Sequence, residues 1–360
     1  MSTKNKINQI EPVISAEDSK AVYKYLNSGG WGTEHQVTKN FESNVSNYVN
    51  RKFAVSVPNG TIAIYLALLA IGIKKGDKVA VPNLTMIATI NAVIWAGAKP
   101  YLVDVDNDFT MSIEKLKKVK NLKAVIFVPL NGRSANGLHI EKWCKDNNIK
   151  LIEDSAHALG SAYENGKKCG KLGDLSIFSF TPHKIITMGQ GGMILTDDRK
   201  YLKKIIDIKT FNRSKDKLDW HKGFGLNFKI TDIQATLGIS QFNNLSKRIE
   251  NKKKIHSYYN SLSSKKFKVG QFRSFETPWF IDLICDSKKS LNLLQNKLTQ
   301  LKIETRISYP ALSKQKYLRD VQKGNLETSE KIFDKILWLP SSVNLKRQQI
   351  EKIVNLISDI

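Results

Sequence analysis

The sequence predicts an α/β fold in which a mainly parallel sheet lies between helices. Short apolar runs alternate with helical segments between residues 53 and 196, and Gly, Asp and Pro punctuate the runs. The chain's 360 residues, 41% hydrophobic and 25% charged, suffice for a large buried core. Ser15, with Asp18 three residues on, opens a helix over 16–27 as a capping box, and Gly29-Gly30 stops it. A second helix is expected over 35–49. Strand 53–57 then leads to helix 61–70, strand 78–81 to helix 86–95, and strand 101–103 to helix 112–119. Strand 124–128, helix 138–147 and strand 151–152 follow, and 175–180 and 192–196 extend the sheet. From Thr231 the texture changes. A long basic helix is expected to about residue 262, then strand 279–284, helix 288–301, a turn at Pro310 and a last helix from Gln348. The length suits two domains, with the junction inside the long helix: residues 1–245 and 246–360.

Several function classes fall away on composition. The longest apolar run, residues 64–73, is far short of the ~18–20 residues of a membrane helix. Met1-Ser-Thr-Lys-Asn-Lys6 leads into polar sequence with no apolar secretion segment. Cys144, Cys169 and Cys285 are too widely spaced for a metal or redox pair. A cytoplasmic chain without a metal is expected. The 57 basic against 33 acidic residues give a net charge of +24, which invites nucleic acid. Only nine of the basic residues are Arg, the side chain suited to base and phosphate clamping, and the 48 Lys are scattered. No nucleic-acid partner is expected; a non-catalytic basic protein that keeps this fold and binds nucleic acid is the remote alternative.

Three segments carry chemistry. Pro58-Asn-Gly-Thr61 stands between a strand and a helix, where a glycine and a helix N-terminus suit a phosphate; a tight turn alone also accounts for it. Ile152-Glu-Asp-Ser-Ala-His157 closes a strand at the sheet edge where α/β folds bind ligands. Asp154 reads equally as a site carboxylate or a helix N-cap, and His157 by itself as a structural residue. The most specific segment is Ser179-Phe-Thr-Pro-His-Lys-Ile-Ile-Thr-Met-Gly-Gln-Gly-Gly192. Lys184 follows a strand end, with a hydroxyl five residues earlier, and precedes glycines that let the chain turn and approach a bound group. Such a lysine suits Schiff-base chemistry.

Together these segments resemble the DegT/DnrJ/EryC1/StrS family of sugar aminotransferases, which depend on pyridoxal phosphate and have aminotransferase fold type I. The likeness runs from Ser28-Gly-Gly-Trp-Gly32 and Phe41-Glu42 through Asn59-Gly-Thr61, Gly76-Asp77, Pro82-x-x-Thr85 and Gly97-Ala98-x-Pro100. It continues through Glu153-Asp154, Gly173-Asp174, the lysine segment, Gly225-x-Asn227, Gln234-Ala235, Glu304-Thr-Arg306, Tyr309-Pro310 and Leu339-Pro340. The resemblance implies that Lys184 carries the cofactor and shuttles a proton, that Asp154 pairs with the pyridine nitrogen, and that His157 lies beside the ring. It further implies that Gly60, Thr61 and Ser179 hold the phosphate, joined by Asn227 from a second subunit, which makes a homodimer with shared sites. Met86 stands where many relatives stack an aromatic ring, Lys229 replaces an Arg, and Gln190 a Glu. A dehydratase branch has His in the lysine slot; Lys184 marks this chain as a transaminase.

Within the family, Val57-Pro-Asn-Gly-Thr61, the 66–72 segment, Leu130-Asn-Gly-Arg133 and Glu304-Thr-Arg306 look most like the GDP-perosamine synthase branch. That implies transfer from glutamate to GDP-4-keto-6-deoxy-mannose, for surface polysaccharide such as O-antigen, with Arg306 and Tyr309 as candidate sugar-nucleotide contacts. The rival acceptor is a dTDP-linked 4-keto- or 3-keto-6-deoxyhexose.

Overall fold

The computed structural model describes residues 6–30 and 32–360; residues 1–5 and Trp31 of the Ser28–Gly32 motif lie outside them. Helix α1 (Ala16–Asn27) begins at its capping box, with Ser15 Oγ accepting the Asp18 N–H at 3.2 Å and the Asp18 carboxylate accepting the Ser15 N–H at 2.8 Å. Helix α2 (Gln36–Val49) has no side-chain cap of its own. Asp232, nearly two hundred residues on, supplies it by accepting from the N–H groups of His35, Val37 and Thr38.

The alternation then proceeds through β1 (Phe53–Val57), α3 (Gly60–Ala70), β2 (Lys78–Pro82), α4 (Ile87–Trp95), β3 (Lys99–Val103) and the single turn α5 (Ile113–Leu116). It continues with β4 (Ala124–Phe127), α6 (Gly137–Asp146), β5 (Lys150–Asp154), β6 (Leu175–Ser179), β7 (Gly192–Thr196) and α7 (Arg199–Lys209), a helix the sequence pattern leaves out. The expected long helix is two, α8 (Asp232–Asn243) and α9 (Leu245–Tyr259). They meet at Asn244, where φ −98° and ψ 6° break the ladder at a pair of asparagines, which favour turns and caps over helix interiors. Strands β8 (Phe267–Val269) and β9 (Ile281–Cys285), helix α10 (Lys288–Gln300), strands β10 (Arg306–Ile307) and β11 (Gln322–Lys323), helix α11 (Glu327–Ile332), strand β12 (Ile336–Leu339) and helix α12 (Arg347–Ser358) complete the chain.

Eight strands form one sheet in the order β1-β7-β6-β5-β4-β2-β3-β11. From β6 to β11 every neighbour is parallel, while β7 is antiparallel to both β1 and β6. The expected mainly parallel α/β sheet is therefore observed. The apolar strands serve both faces in turn: Val79, Val81, Ala124 and Ile126 join the core under α3 and α4. Ala80, Val125 and Phe127 join the core under α6.

A second sheet, β10-β12-β9-β8, is antiparallel throughout. Leu337 and Leu339 pack toward α9, α10 and α12. Ile336 and Trp338, on the other face, meet Leu84, Phe109 and Leu130 from the large sheet's loops. Two segments cross the line drawn at residue 245: Ile7 bridges Ile303 in the smaller core, and β11 returns to pair with β3. Among the described residues no helix is long and apolar enough to cross a membrane.

The seam between the sheets holds a buried ion pair. Arg133 Nη1 donates to Asp282 Oδ2 at 2.5 Å, and Asp282 Oδ1 accepts from Asn131 Nδ2 and Trp338 Nε1, each at 2.8 Å. Asp282→Ala would strand the guanidinium in the core. Urea unfolding is expected to show a loss of about 3–5 kcal/mol, the usual consequence of removing one partner of a buried pair.

Candidate functional site

At the C-terminal edge of the large sheet three strand ends lie in one row: Val57 pairs with Gly192, and Gly192 with Ser179. A Cβ on Gly192 would sit 2.4 Å from the Asn59 carbonyl oxygen, so only glycine lets the turn into α3 lie over β7. The last glycine of the Gly-x-Gly-Gly run thus backs the turn from behind, and none of the run lines the cavity. Asn59 caps α3, its Oδ1 accepting the Ile62 N–H at 3.0 Å. The N–H groups of Gly60 and Thr61, in the first turn, have no acceptor within the helix. Ser179 Oγ, 3.4 Å from Thr181 Oγ1, closes the other side. A Cβ on Gly60 would lie 3.1 Å from Ser179 Cβ, inside that cradle.

A cavity of about 190 Å³ opens from this cradle. Gly60, Thr61, Met86, Asp154, His157, Ser179, Lys184, Arg306 and Tyr309 all line it, so nine of the residues singled out in the sequence meet in one place. Asn227 does not; it bridges Thr210 at the root of the 210–228 loop. No helix follows Asp154, so it caps none; the carboxylate accepts from Thr89 Oγ1 at 2.9 Å and from the Ala156 N–H at 3.3 Å, and borders the cavity. Burial pushes its carboxyl up, while those two donors and the Lys184 charge pull the other way.

Lys184 reaches the cavity from the turn after β6. Its Nζ has no hydrogen bond or ion pair among the described residues and lies 4.0 Å from the centre of the Trp279 ring. Burial brings the amine down to about 7, against the opposing pull of Asp154. His157 is 5% exposed and its Nδ1 has no partner; the ring packs 4.0 Å from that of Trp279. Burial, then the Lys184 and Arg306 charges, hold the imidazole well below its usual range, so it is neutral. Met86 stands just before α4, its sulfur accepting the Ala88 N–H at 3.0 Å while the side chain borders the cavity. Arg306, on β10, lies 5.6 Å from the Tyr309 ring centre.

Sequence reasoning missed Thr89, Trp279 and Phe280. A threonine in a helix otherwise built of apolar residues and two aromatics opening a strand were the available signals. No group of three or more His, Cys, Asp or Glu among the described residues could hold a metal ion. An anion cradle of neutral donors, an unpaired amine, a buried carboxylate and a histidine nitrogen without a partner on one cavity fit pyridoxal phosphate.

The sequence profile of the DegT/DnrJ/EryC1/StrS aminotransferase family matches residues 12–358. The chain is 32% identical to a GDP-perosamine synthase of Escherichia coli O157:H7, over 97% of each chain. It is 37% identical to a UDP-4-amino-4,6-dideoxy-N-acetyl-beta-L-altrosamine transaminase of Campylobacter jejuni, over 61% of this chain and 60% of that one. The fold superposes on Helicobacter pylori PseC, an aminotransferase involved in the biosynthesis of pseudoaminic acid, with a TM-score of 0.92 at 23% identity, covering 98% of both chains.

The amine also affects stability. Because its folded value lies near 7 and the unfolded value near 10.5, the unfolded chain binds the extra proton between those limits, and the cost of burying the amine is greatest at and below pH 7. Cofactor-free Lys184→Met is therefore expected to be more stable than the parent at pH 7, with the difference narrowing toward pH 10.5, as urea midpoints across that range would report.

Proposed function

Since the chain belongs to the DegT/DnrJ/EryC1/StrS aminotransferase family, and is thus a pyridoxal-phosphate-dependent sugar transaminase, we propose that it transfers an amino group from glutamate to GDP-4-keto-6-deoxy-mannose, yielding GDP-perosamine. The full-length likeness to the Escherichia coli synthase favours that acceptor over a dTDP- or UDP-linked sugar. The observation that carries the catalytic reading is the Lys184 amine, buried and unpaired, on one cavity with Asp154 and the α3 cradle.

When bound, the cofactor supplies an aldehyde carbon for amine exchange and a ring that draws electron density from the reacting carbon. The Gly60 and Thr61 N–H groups and the Ser179 hydroxyl hold its phosphate, helped by the partial positive charge of the α3 N-terminus. Asp154 holds a proton at the ring nitrogen, its carboxylate oriented by Thr89. Lys184 Nζ, which burial makes easier to deprotonate, would accept a proton from the substrate carbon and deliver it to the cofactor carbon. His157 and Met86, which line the same cavity, would lie beside the ring. Arg306 and Tyr309, which line the same cavity, would contact the sugar nucleotide.

A second copy of the chain completes the site. Leu218, Trp220 and Phe224 are 91%, 63% and 69% exposed on the loop that ends at Asn227, an apolar face that a partner would cover. Asn227 would then reach the partner's cradle.

A panel of GDP-, dTDP- and UDP-linked keto sugars with glutamate tests the acceptor. Turnover of the GDP sugar is expected, and turnover of only the dTDP or UDP sugars rejects it. Asp154→Asn is expected to cut turnover by at least ~10²-fold with folding intact, since a positioned proton-holding group is worth that much. Mixing inactive Lys184→Ala with inactive Asn227→Asp should restore activity, because a mixed dimer contains one site with both residues native. No recovery would place Asn227 outside the partner's site.

A further inference from the structure

Trp279 is held at each of its polar groups. Its backbone N–H donates to the Asn131 carbonyl at 3.0 Å and its indole Nε1 to the His183 carbonyl at 2.8 Å. Its own carbonyl accepts from Lys252 Nζ, which also donates to the Ser341 carbonyl at 2.5 Å. The ring packs on Phe280 at 3.8 Å and on His157 at 4.0 Å, and offers a face to the Lys184 amine. Lys252, on α9, is 1% exposed and has no acidic partner among the described residues. A buried lysine spent on two carbonyls is unusual unless the position of those carbonyls matters.

A cofactor lysine needs a partner that holds it without capturing it. A carboxylate in contact would keep the amine charged and unreactive. An indole face attracts an ammonium yet leaves the nitrogen lone pair free once the proton departs. That attraction offsets part of the rotamer freedom a long lysine side chain gives up when it is held in one place.

We propose that Trp279 is a positioning residue that seats the Lys184 amine toward the Asp154 side of the cavity, and that Lys252 fixes Trp279 there. The inference rests on Lys184 being the cofactor lysine. The full chain, freed of cofactor, would be mixed with pyridoxal phosphate between pH 5.5 and 9, the adduct fixed with borohydride, and its position found by peptide mass mapping. The groups around the amine that titrate or carry charge (Asp154, His157, His183, Arg306 and Tyr309) are common to all variants, so differences report the ring.

Trp279→Leu is expected to capture the cofactor at Lys184 about tenfold more slowly. Its pH midpoint should fall by roughly half to one pH unit, because the charged form loses its π face. Trp279→Phe should keep the midpoint near the parent's. Lys252→Met leaves the indole in place but loosened, and should slow capture with the fold intact by circular dichroism; it carries the test if the leucine variant does not fold. An unchanged rate and midpoint in Trp279→Leu, or in Lys252→Met where that stands in, overturns the proposal. If Lys184→Ala captures the cofactor as the parent does, on some other lysine, the reading of Lys184 falls instead, whatever the Trp279 variants do.

Discussion

The closeness of the Asn59–Gly60 turn to Gly192 governs the whole edge of the sheet. The register Val57–Gly192–Ser179 puts three strand ends in line, and the missing Cβ at Gly192 lets the turn lie directly over β7. That brings the start of α3, with its two unsatisfied N–H groups, beside Ser179. A bulkier residue in that row would lift α3 off the sheet and open the cradle. Lys184 sits five residues beyond Ser179 in the same connection, so its backbone origin is fixed by the same contact.

Glu153 and Asp154 show how a fold separates support from chemistry in two adjacent residues. On one face of β5, Glu153 takes up donors from Ser155 Oγ, Tyr163 OH and the Gly170 and Leu172 N–H groups, all within 2.8 Å. It is a closed network that pins the 155–172 loop. Asp154, one residue on, points to the opposite face and has two donors among the described residues, one of them at 3.3 Å. Buried carboxylates normally approach the first condition. An under-supplied one beside an unpaired amine and a histidine with an idle nitrogen keeps capacity for something else to bind.

The sheet and the chemistry-bearing segments were legible because they are local. Capping boxes, apolar runs and a lysine flanked by glycines are written in a few adjacent residues. Helix α7 escaped because Lys and Arg dominate it, with a narrow apolar stripe that includes the buried Ile205. The long helix was read as one since nothing in propensity locates a break beyond the paired asparagines at 243–244. Strand β12 lay hidden in an apolar run too short to be told from a helix turn. The cavity's far wall was beyond reach for a different reason: Trp279 and Phe280 share a cavity with Asp154 and His157 only because β9 docks across the seam, a fact of tertiary packing with no local spelling.

That seam explains why the site needs both halves of the chain to be rigidly joined. The cradle, Asp154 and Lys184 come from the large sheet, while Trp279, Arg306 and Tyr309 come from segments beyond residue 245. Apolar packing alone, through Leu84, Phe109, Leu130 and Trp338, would hold the halves together while tolerating small slides. The Arg133–Asp282 pair, with Asn131 and Trp338 on the same carboxylate, tolerates none, because a shift of an ångström would leave buried charge unpaired. Lys252 adds a tie to the Trp279 carbonyl from α9. Such polar contacts add little net stability. Their value lies in direction, and the residues they direct are those that face the Lys184 amine.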